Sequence, residues 1–485
     1  MTSDPNVLLV VLDSVRARNT SLHDHDHDTT PALVSLAEQA TTYTQARAPD
    51  RWSLPSHASL FTGLTPPEHG ITQKGDSLLP GNSVFANLNS DGYATGVFSG
   101  NPFLTQIDTG LRDGFETVEG ASTGPLYPTA VDPHDFEGDV SGFLRAAIRN
   151  RQPVRSFLNG VTTKLAWDYP EILPDKFLQE ISGGVSRDHR YTDLFLKWEK
   201  RQTGPWAACI NYMDAHHPYS PRDEHNHWAD SSIEEVLDEV SPYPGNFYTR
   251  SDLMWRCEVA EFLYDGAIRQ VDHEVNRLVE TLKQRGVFEE TLIVITGDHG
   301  EGFGDLSRLR PLRIAGHAVG GHESNLHVPL VVKYPEQHRS ECISEPVSLT
   351  QFPDAVHAVR DESRDSYTKP FVSDDPVVSV GSEADAEHIG RLQDEDIATA
   401  VFEEDVEIVY ESAEDGTVLK HMRWKDEVAT VRVIDTHTVV STDQYNAETI
   451  DSTFDSLADQ DVAERNSGMA VGEATMERLD QLGYR

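Results

Sequence analysis

Asn6-Val7-Leu8-Leu9-Val10-Val11-Leu12-Asp13 is a continuous apolar run closed by a carboxylate. A strand that is apolar on both faces is buried on both, and such strands belong to parallel sheets covered by helices. Its polar end matters as much, because ligands of open α/β sheets sit beyond the carboxyl ends of the strands. The pattern returns three times. Thr291-Leu292-Ile293-Val294-Ile295-Thr296 leads into Gly297-Asp298-His299-Gly300-Glu301-Gly302, residues 206–212 lead into Met213-Asp214, and residues 93–98 lead into Ser99-Gly100-Asn101. Residues 258–285 carry apolar positions at helical spacing (Val259, Phe262, Leu263, Ile268, Val271, Val275, Leu278, Leu282) and predict one long helix on the sheet. Asp265 and Asp272 on it read as surface or supporting residues. The whole predicts an α/β fold with its chemistry gathered at one edge of the sheet.

Asp50-Arg51-Trp52-Ser53-Leu54-Pro55-Ser56-His57-Ala58-Ser59-Leu60-Phe61-Thr62-Gly63 reads as loop, short helix, stop. Ser53 suits an N-cap, Pro55 the first turn and Gly63 the C′ position. Alone, Ser53 is a capping serine. A helix N-terminus also favours negative charge, so the same position suits a nucleophilic oxygen. Adjacent Asp298 and His299 at a strand tip offer oxygen and nitrogen ligands to a divalent cation. Asp13 offers a further carboxylate or a turn cap. Asp214-Ala215-His216-His217-Pro218-Tyr219 and Gly316-His317-Ala318-Val319-Gly320-Gly321-His322 place paired histidines on loops, where binding groups concentrate. His23-Asp24-His25-Asp26-His27-Asp28 alternates like a chelator, but nothing in the segment fixes its geometry, so it reads as a solvated loop before a helix over residues 32–40.

With 81 acidic against 40 basic residues the formal net charge is −41 over 485 residues, and only ten of the basic residues are lysine. Such a surface repels nucleic acid and anionic membrane. The acidity is spread along the chain, which reads as adaptation to high salt, where screening removes most self-repulsion. Three widely spaced cysteines, Cys209, Cys257 and Cys342, predict neither a disulfide framework nor a Cys-based metal site, and fit a reducing compartment. No apolar run is long enough for a signal peptide or a membrane span, so a cytoplasmic protein without membrane insertion is expected. Past about residue 360 the chain turns acidic, and strand-like pieces at 405–410, 418–424 and 429–433 predict a small α+β subdomain over 361–485.

The Ser53 segment resembles the sulfatase signature (Cys or Ser)-x-Pro-x-Arg with its Leu/Phe-Thr-Gly ending. Ser53, Pro55, Ser56, Leu60, Thr62 and Gly63 match, and His57 stands where the family has arginine. Four other elements resemble the family in the right order. They are the first strand ending in Asp13, Asp214-x-His216-x-Pro218-Tyr219, Thr296-Gly297-Asp298-His299-Gly300-Glu301, and the Gly321-His322 before Val328-Pro329-Leu330. Ser14 takes the place of a second family aspartate, and no lysine occupies the family's substrate position near Asn101. The resemblance implies an alkaline phosphatase-like three-layer sandwich with a mixed, mostly parallel central sheet. Residues 1–360 would form the catalytic domain, with a helical insertion over 120–200.

It also implies a site. Asp13, Asp298 and His299 would hold a divalent metal, whether Ca, Mn, Mg or Zn. Ser53 would be the nucleophile, as formylglycine or unmodified. His216 and His322 would act as further catalytic groups, with His322 protonating the leaving alcohol and His317 its alternate. His57 would contact bound oxyanion, and Asn101, standing near the family's lysine position, would either donate to that oxyanion or shape a turn. The expected activity is hydrolysis of a sulfate ester, for instance of a sulfated sugar. Hydrolysis of a phosphate or phosphonate ester, or phosphoryl transfer, remains open beside it, the more so if Asp214, His216 and His322 share a second metal. A non-catalytic binding protein is the third reading.

Overall fold

The computed structural model describes residues 4–120, 130–168 except 132 and 137–139, 189–229, 254–361, 370–465 except 385, 395–397 and 444, and residues 475, 479 and 482. Asn6–Leu12, all seven residues buried, is an interior strand of an eight-stranded sheet. Across that sheet the strands run Glu341–Ile343, Thr41–Tyr43, Leu330–Lys333, Thr291–Thr296, Asn6–Leu12, Trp206–Tyr212, Ala94–Ser99 and Thr117–Glu119. The last five are mutually parallel, while Leu330–Lys333 is antiparallel to both neighbours. The expected mixed, mostly parallel sheet is the one observed.

Alternation along the first strand builds the layers. Val7, Leu9 and Val11 join a core that includes Leu54, Ala58 and Phe61 of the helix Ser53–Thr62. Leu8, Val10 and Leu12 point to the other face, against Tyr264, Ile268, Val271 and Val275 of the helix Met254–Arg285. Burying each such aliphatic side chain contributes about 1.5–3 kcal/mol. Register then sets the site. Val11 pairs with both Asn211 and Thr296, and Ser99 pairs with Asn211. Two residues past Val11, Thr296 and Ser99 come Asp13, Asp298 and Asn101, so all three leave the sheet at one edge.

Several expectations shift in detail. The helix after the first strand is Pro31–Ala37, shorter than 32–40. Trp52 rather than Ser53 is the extended residue before the helix Ser53–Thr62, so Ser53 occupies its first turn, and Gly63 ends it at φ 80°. Of the two readings of Asp265 and Asp272, surface or supporting, burial leaves the supporting one, since they are 1% and 2% exposed. The Asp272 carboxylate accepts the N–H groups of Ala32 and Leu33 at 2.8 and 3.1 Å, satisfying the open end of Pro31–Ala37. The loop at 23–28 is not simply solvated either, since His25 and His27 both turn onto Asp265.

Of residues 120–200 the structure describes the helices Val140–Arg149, Pro153–Asp168 and His189–Glu199, and the remainder of that segment lies largely outside the described residues. Val377–Gly381, Val406–Ser412, Val418–Trp424, Glu427–Val433 and Val439–Ser441 form an antiparallel sheet of five strands. Most of the tail at 476–484 falls outside the described residues. The three cysteines are free. Among the described residues no helix is long and apolar enough to cross a membrane.

The small sheet is tied to the large one by buried charge. The Arg51 guanidinium donates to the carbonyls of Ser382, Glu383 and His317 at 2.7, 2.8 and 2.7 Å. The Glu323 carboxylate meets Arg47 at 2.9 Å, Lys420 at 2.8 Å and the Tyr410 hydroxyl at 3.0 Å. Burial alone would raise the Glu323 carboxyl, but Arg47 and Lys420 outweigh it and hold the group well below the usual range.

Candidate active site

Ser53 Oγ lies 3.4 Å from Asp13 Oδ2 and 3.4 Å from His299 Nε2. Ligand atoms of Asp13, Asp298 and His299 all fall within 4.8 Å of one another, and all three residues are fully buried. The sheet edge supplies Asp13 and Asp298, the turn after the strand supplies His299, and a helix start supplies Ser53. The orientation of each is fixed. His299 Nδ1 donates to the Gly300 carbonyl at 3.0 Å, which leaves Nε2 facing the cluster with its lone pair. The Ser14 and His299 backbone N–H groups hold Asp298 Oδ1 at 3.2 and 3.0 Å. Ser14, at φ 62°, also donates its hydroxyl to Asp13 Oδ1 at 3.1 Å. The residue in place of the family's second aspartate thus supports the first.

Two amides complete the cradle. Asn101 Nδ2 and Asn211 Nδ2 donate to Asp13 Oδ2 at 3.1 and 3.2 Å. Asn101 Oδ1 also accepts the Phe103 N–H at 3.0 Å, so its place here is beside Asp13 rather than free to meet a substrate. Sequence reading passed over Asn211. Its signal was the strand pairing, because a residue opposite Val11 must lie beside Asp13.

The electrostatics suit a cation. Burial, then the Asp298 charge, push the Asp13 carboxyl up, while His299 and His57 overcome burial to hold Asp298 below the usual carboxylate range. Burial works against the His299 charge, but Asp298 and Asp13 raise it. Among the described residues buried Asp298 Oδ2 has no close hydrogen-bond partner, with His57 Nδ1 3.6 Å away. Two buried carboxylates, an oriented imidazole and an orphaned oxygen fit a divalent ion.

His57 belongs to the group. Its Nδ1 donates to the Ser53 carbonyl at 2.8 Å, and burial holds its pKa below the ordinary value. His317 packs 4.6 Å from His299, and His216 5.0 Å from His317, between ring centres. Burial, then neighbouring imidazoles, keep both histidines well below the usual imidazole range. Glu301, another buried group the sequence reading left without a role, lies 3.3 Å from His317 Nδ1 with its carboxyl raised by burial.

His322 is not brought to this group. Its Nδ1 accepts the Ser324 N–H at 3.1 Å as the cap of the short helix Glu323–Leu326. It lines a separate cavity of about 140 Å³ with Arg16, Arg18, Asp305 and His437. Burial lowers it to about 4. The physical reason is the glycine-rich loop, which brings His317 inward and leaves His322 to start a helix. Asp214 is likewise engaged elsewhere, accepting from Gln270 Nε2, so Asp214, His216 and His322 do not form a shared cation site.

Residues 5–359 match the sulfatase family model. The chain belongs to the sulfatase family. A curated sulfatase from Formosa agariphila is 22% identical over 369 residues, covering 71% of this chain and 67% of the relative. The first curated relatives are spanned over 59–67% of their length. Among solved structures, the phosphonate monoester hydrolase of Silicibacter pomeroyi superposes with a TM-score of 0.59 at 18% identity, covering 92% of this chain and 93% of that one. A protein solved with its substrate D-glucosamine-2-N,6-O-disulfate gives 0.56 at 13%, covering 88% and 91%. These likenesses establish the alkaline phosphatase-like fold.

Proposed function

We propose that this sulfatase-family chain hydrolyses sulfate esters of a small anionic substrate, a sulfated sugar being the class its relatives suggest. The observation that carries this is Ser53 Oγ standing 3.4 Å from both Asp13 Oδ2 and His299 Nε2 at the start of a ten-residue helix. Asp13, Asp298 and His299 would hold a divalent cation. When bound, it lowers the pKa of the nucleophilic oxygen and offsets charge on the ester. The chain's own residues do the rest. Ser53, unmodified or oxidised to formylglycine, supplies the attacking oxygen. Asn101, Asn211 and Ser14 keep Asp13 aimed. His57 and His216 meet peripheral oxygens of the ester. His317 takes the leaving-group role in place of His322, handing its Nε2 proton to the leaving alcohol while its Nδ1 accepts one from the raised Glu301 carboxyl 3.3 Å away.

The test is turnover of 4-nitrophenyl sulfate with the chain's own metal dependence. Loss in Ser53→Ala and in Asp298→Asn supports the assignment, and unchanged turnover in either overturns it. A second reading is favoured by one observation. His57 replaces arginine, and its Nδ1 bonds to the Ser53 carbonyl. That departure from the signature leaves room for an unmodified Ser53 acting on a phosphonate or phosphate ester. The mass of the Ser53 peptide from the native source separates the two, since formylglycine is lighter than serine by two hydrogens.

A further inference from the structure

We propose that His25, His27 and Asp265 form a second divalent-cation site, of the zinc class, separate from the Ser53 centre. His25 Nε2 and His27 Nδ1 converge on a single oxygen, Asp265 Oδ2, at 3.0 and 2.6 Å. Ligand atoms of all three lie within 4.8 Å of one another. Two neutral imidazoles and one carboxylate are the donor set that zinc and its neighbours in the transition series accept, with water completing the four positions. None of the three residues takes part in the Ser53 centre.

The site is built rather than incidental. Asp265 is 1% exposed, which is costly for a carboxylate without compensation. Its other oxygen, Oδ1, accepts Asn19 Nδ2 at 2.7 Å, which fixes the carboxylate in the way supporting hydrogen bonds fix metal ligands. The loop carrying the histidines is closed by a reciprocal pair, Ser21 N–H to Thr30 Oγ1 at 2.8 Å and Thr30 N–H to Ser21 Oγ at 2.9 Å. Asp24 adopts the left-handed region at φ 59°, and Asp28 meets Arg269 at 2.9 Å. Trp228 stacks on the His27 ring, 4.7 Å between centres and 14° between planes. Both histidine side chains remain partly open, at 11% and 26%, so an ion can reach them from solvent. A cation here would clamp the loop after the first strand to the long helix Met254–Arg285.

Trp228 supplies the probe. Titrating Co²⁺ into the Asp298→Asn chain, whose Ser53 centre is disabled, is expected to quench tryptophan fluorescence to an endpoint of one equivalent, and the quench is expected to vanish when Trp228→Phe is added. Zinc bound after gel filtration, counted by mass spectrometry, is expected to fall by one equivalent in His25→Ala/His27→Ala while turnover of the aryl ester persists. Asp298→Asn is expected to keep that equivalent. His27→Gln guards against a folding defect, because the amide still donates to Asp265 but presents a weaker ligand, and zinc affinity there should drop by about 10-fold or more. Equal zinc content in wild type and the double variant would overturn the proposal, as would a Co²⁺ quench that survives when Trp228→Phe is added to Asp298→Asn. Either result would leave His25 and His27 as hydrogen-bonding partners of Asp265 alone.

Discussion

At the scale of single residues, the site separates groups that act from groups that aim. Ser53→Ala and Asp298→Asn are expected to lower kcat/KM by about 10³-fold or more, measured on an aryl ester. Asn211→Ala removes a donor from Asp13 at 3.2 Å without touching substrate. Its expected signature is a metal affinity about 10- to 100-fold weaker, with turnover restored at high metal. His317→Ala is expected to lower kcat. His322→Ala is expected to cost about 1 kcal/mol of stability through the lost cap, with kcat kept. The reverse pattern would return His322 to the site. Asp13, Asp298 and His299 were legible as candidates because each follows a buried strand, whereas Ser53 alone read as a cap and entered the site through its resemblance to the sulfatase signature. Sequence reading preferred His322 to His317, both of which sit beside glycines, and only the folded loop shows that His317 is the one packed against His299. The anchoring of the loop at 23–28 was not legible for a related reason, since its partner, Asp265, lies some 240 positions away on another element.

At the scale of elements, turns hold the site as firmly as strands. Gly300 follows the Asp-His pair, and a Cβ there would meet the Ser324 carbonyl oxygen at 2.1 Å. The Gly300 N–H also donates to the Asn325 carbonyl at 2.7 Å. Gly300→Ala is therefore expected to shift the turn, losing about 1–3 kcal/mol of stability and weakening metal retention together. Calorimetry and metal content check both. A second element gives an acid sensor. The short helix Pro66–His69 ends in His69, whose Nδ1 accepts the Ile71 N–H at 3.0 Å while Nε2 bonds Ser59 Oγ at 3.0 Å. Burial lowers this histidine to about 3. Between its unfolded value of about 6.5 and that lower value, the unfolded chain binds a proton that the folded chain refuses. The His69 contribution is thus whole above pH ~6.5 and lost as pH falls toward 3, on the order of a few kcal/mol. Urea unfolding should show the decline, with a shallower slope in His69→Asn.

At the scale of the molecule, the central sheet was legible because buried strands leave continuous apolar runs. The five-stranded sheet was legible only in part. Val418–Trp424 matched its expected run, whereas Val377–Gly381 and Val439–Ser441 carried no distinctive signal in the sequence reading. Nor did any local pattern foretell how that sheet docks, through Arg51 onto the backbone carbonyls of Ser382 and Glu383. The charge of −41 makes its own prediction. Raising salt from 0.1 to 1 M shortens the screening length from about 10 to 3 Å, so the melting temperature is expected to rise steadily with KCl. A flat response would mark the acidity as incidental.

The parallel pairing of the first strand has a consequence for biosynthesis. Asn6–Leu12 takes its hydrogen-bonded neighbours from residues 206–212 and 291–296. At 5–20 residues per second, roughly ten to forty seconds pass on the ribosome between making the strand and making its nearer companion. Throughout that interval one of the stickiest segments of the polypeptide has no native seat. The nascent chain must be sheltered by chaperones or by transient non-native contacts, and the reactive centre can assemble only late in translation.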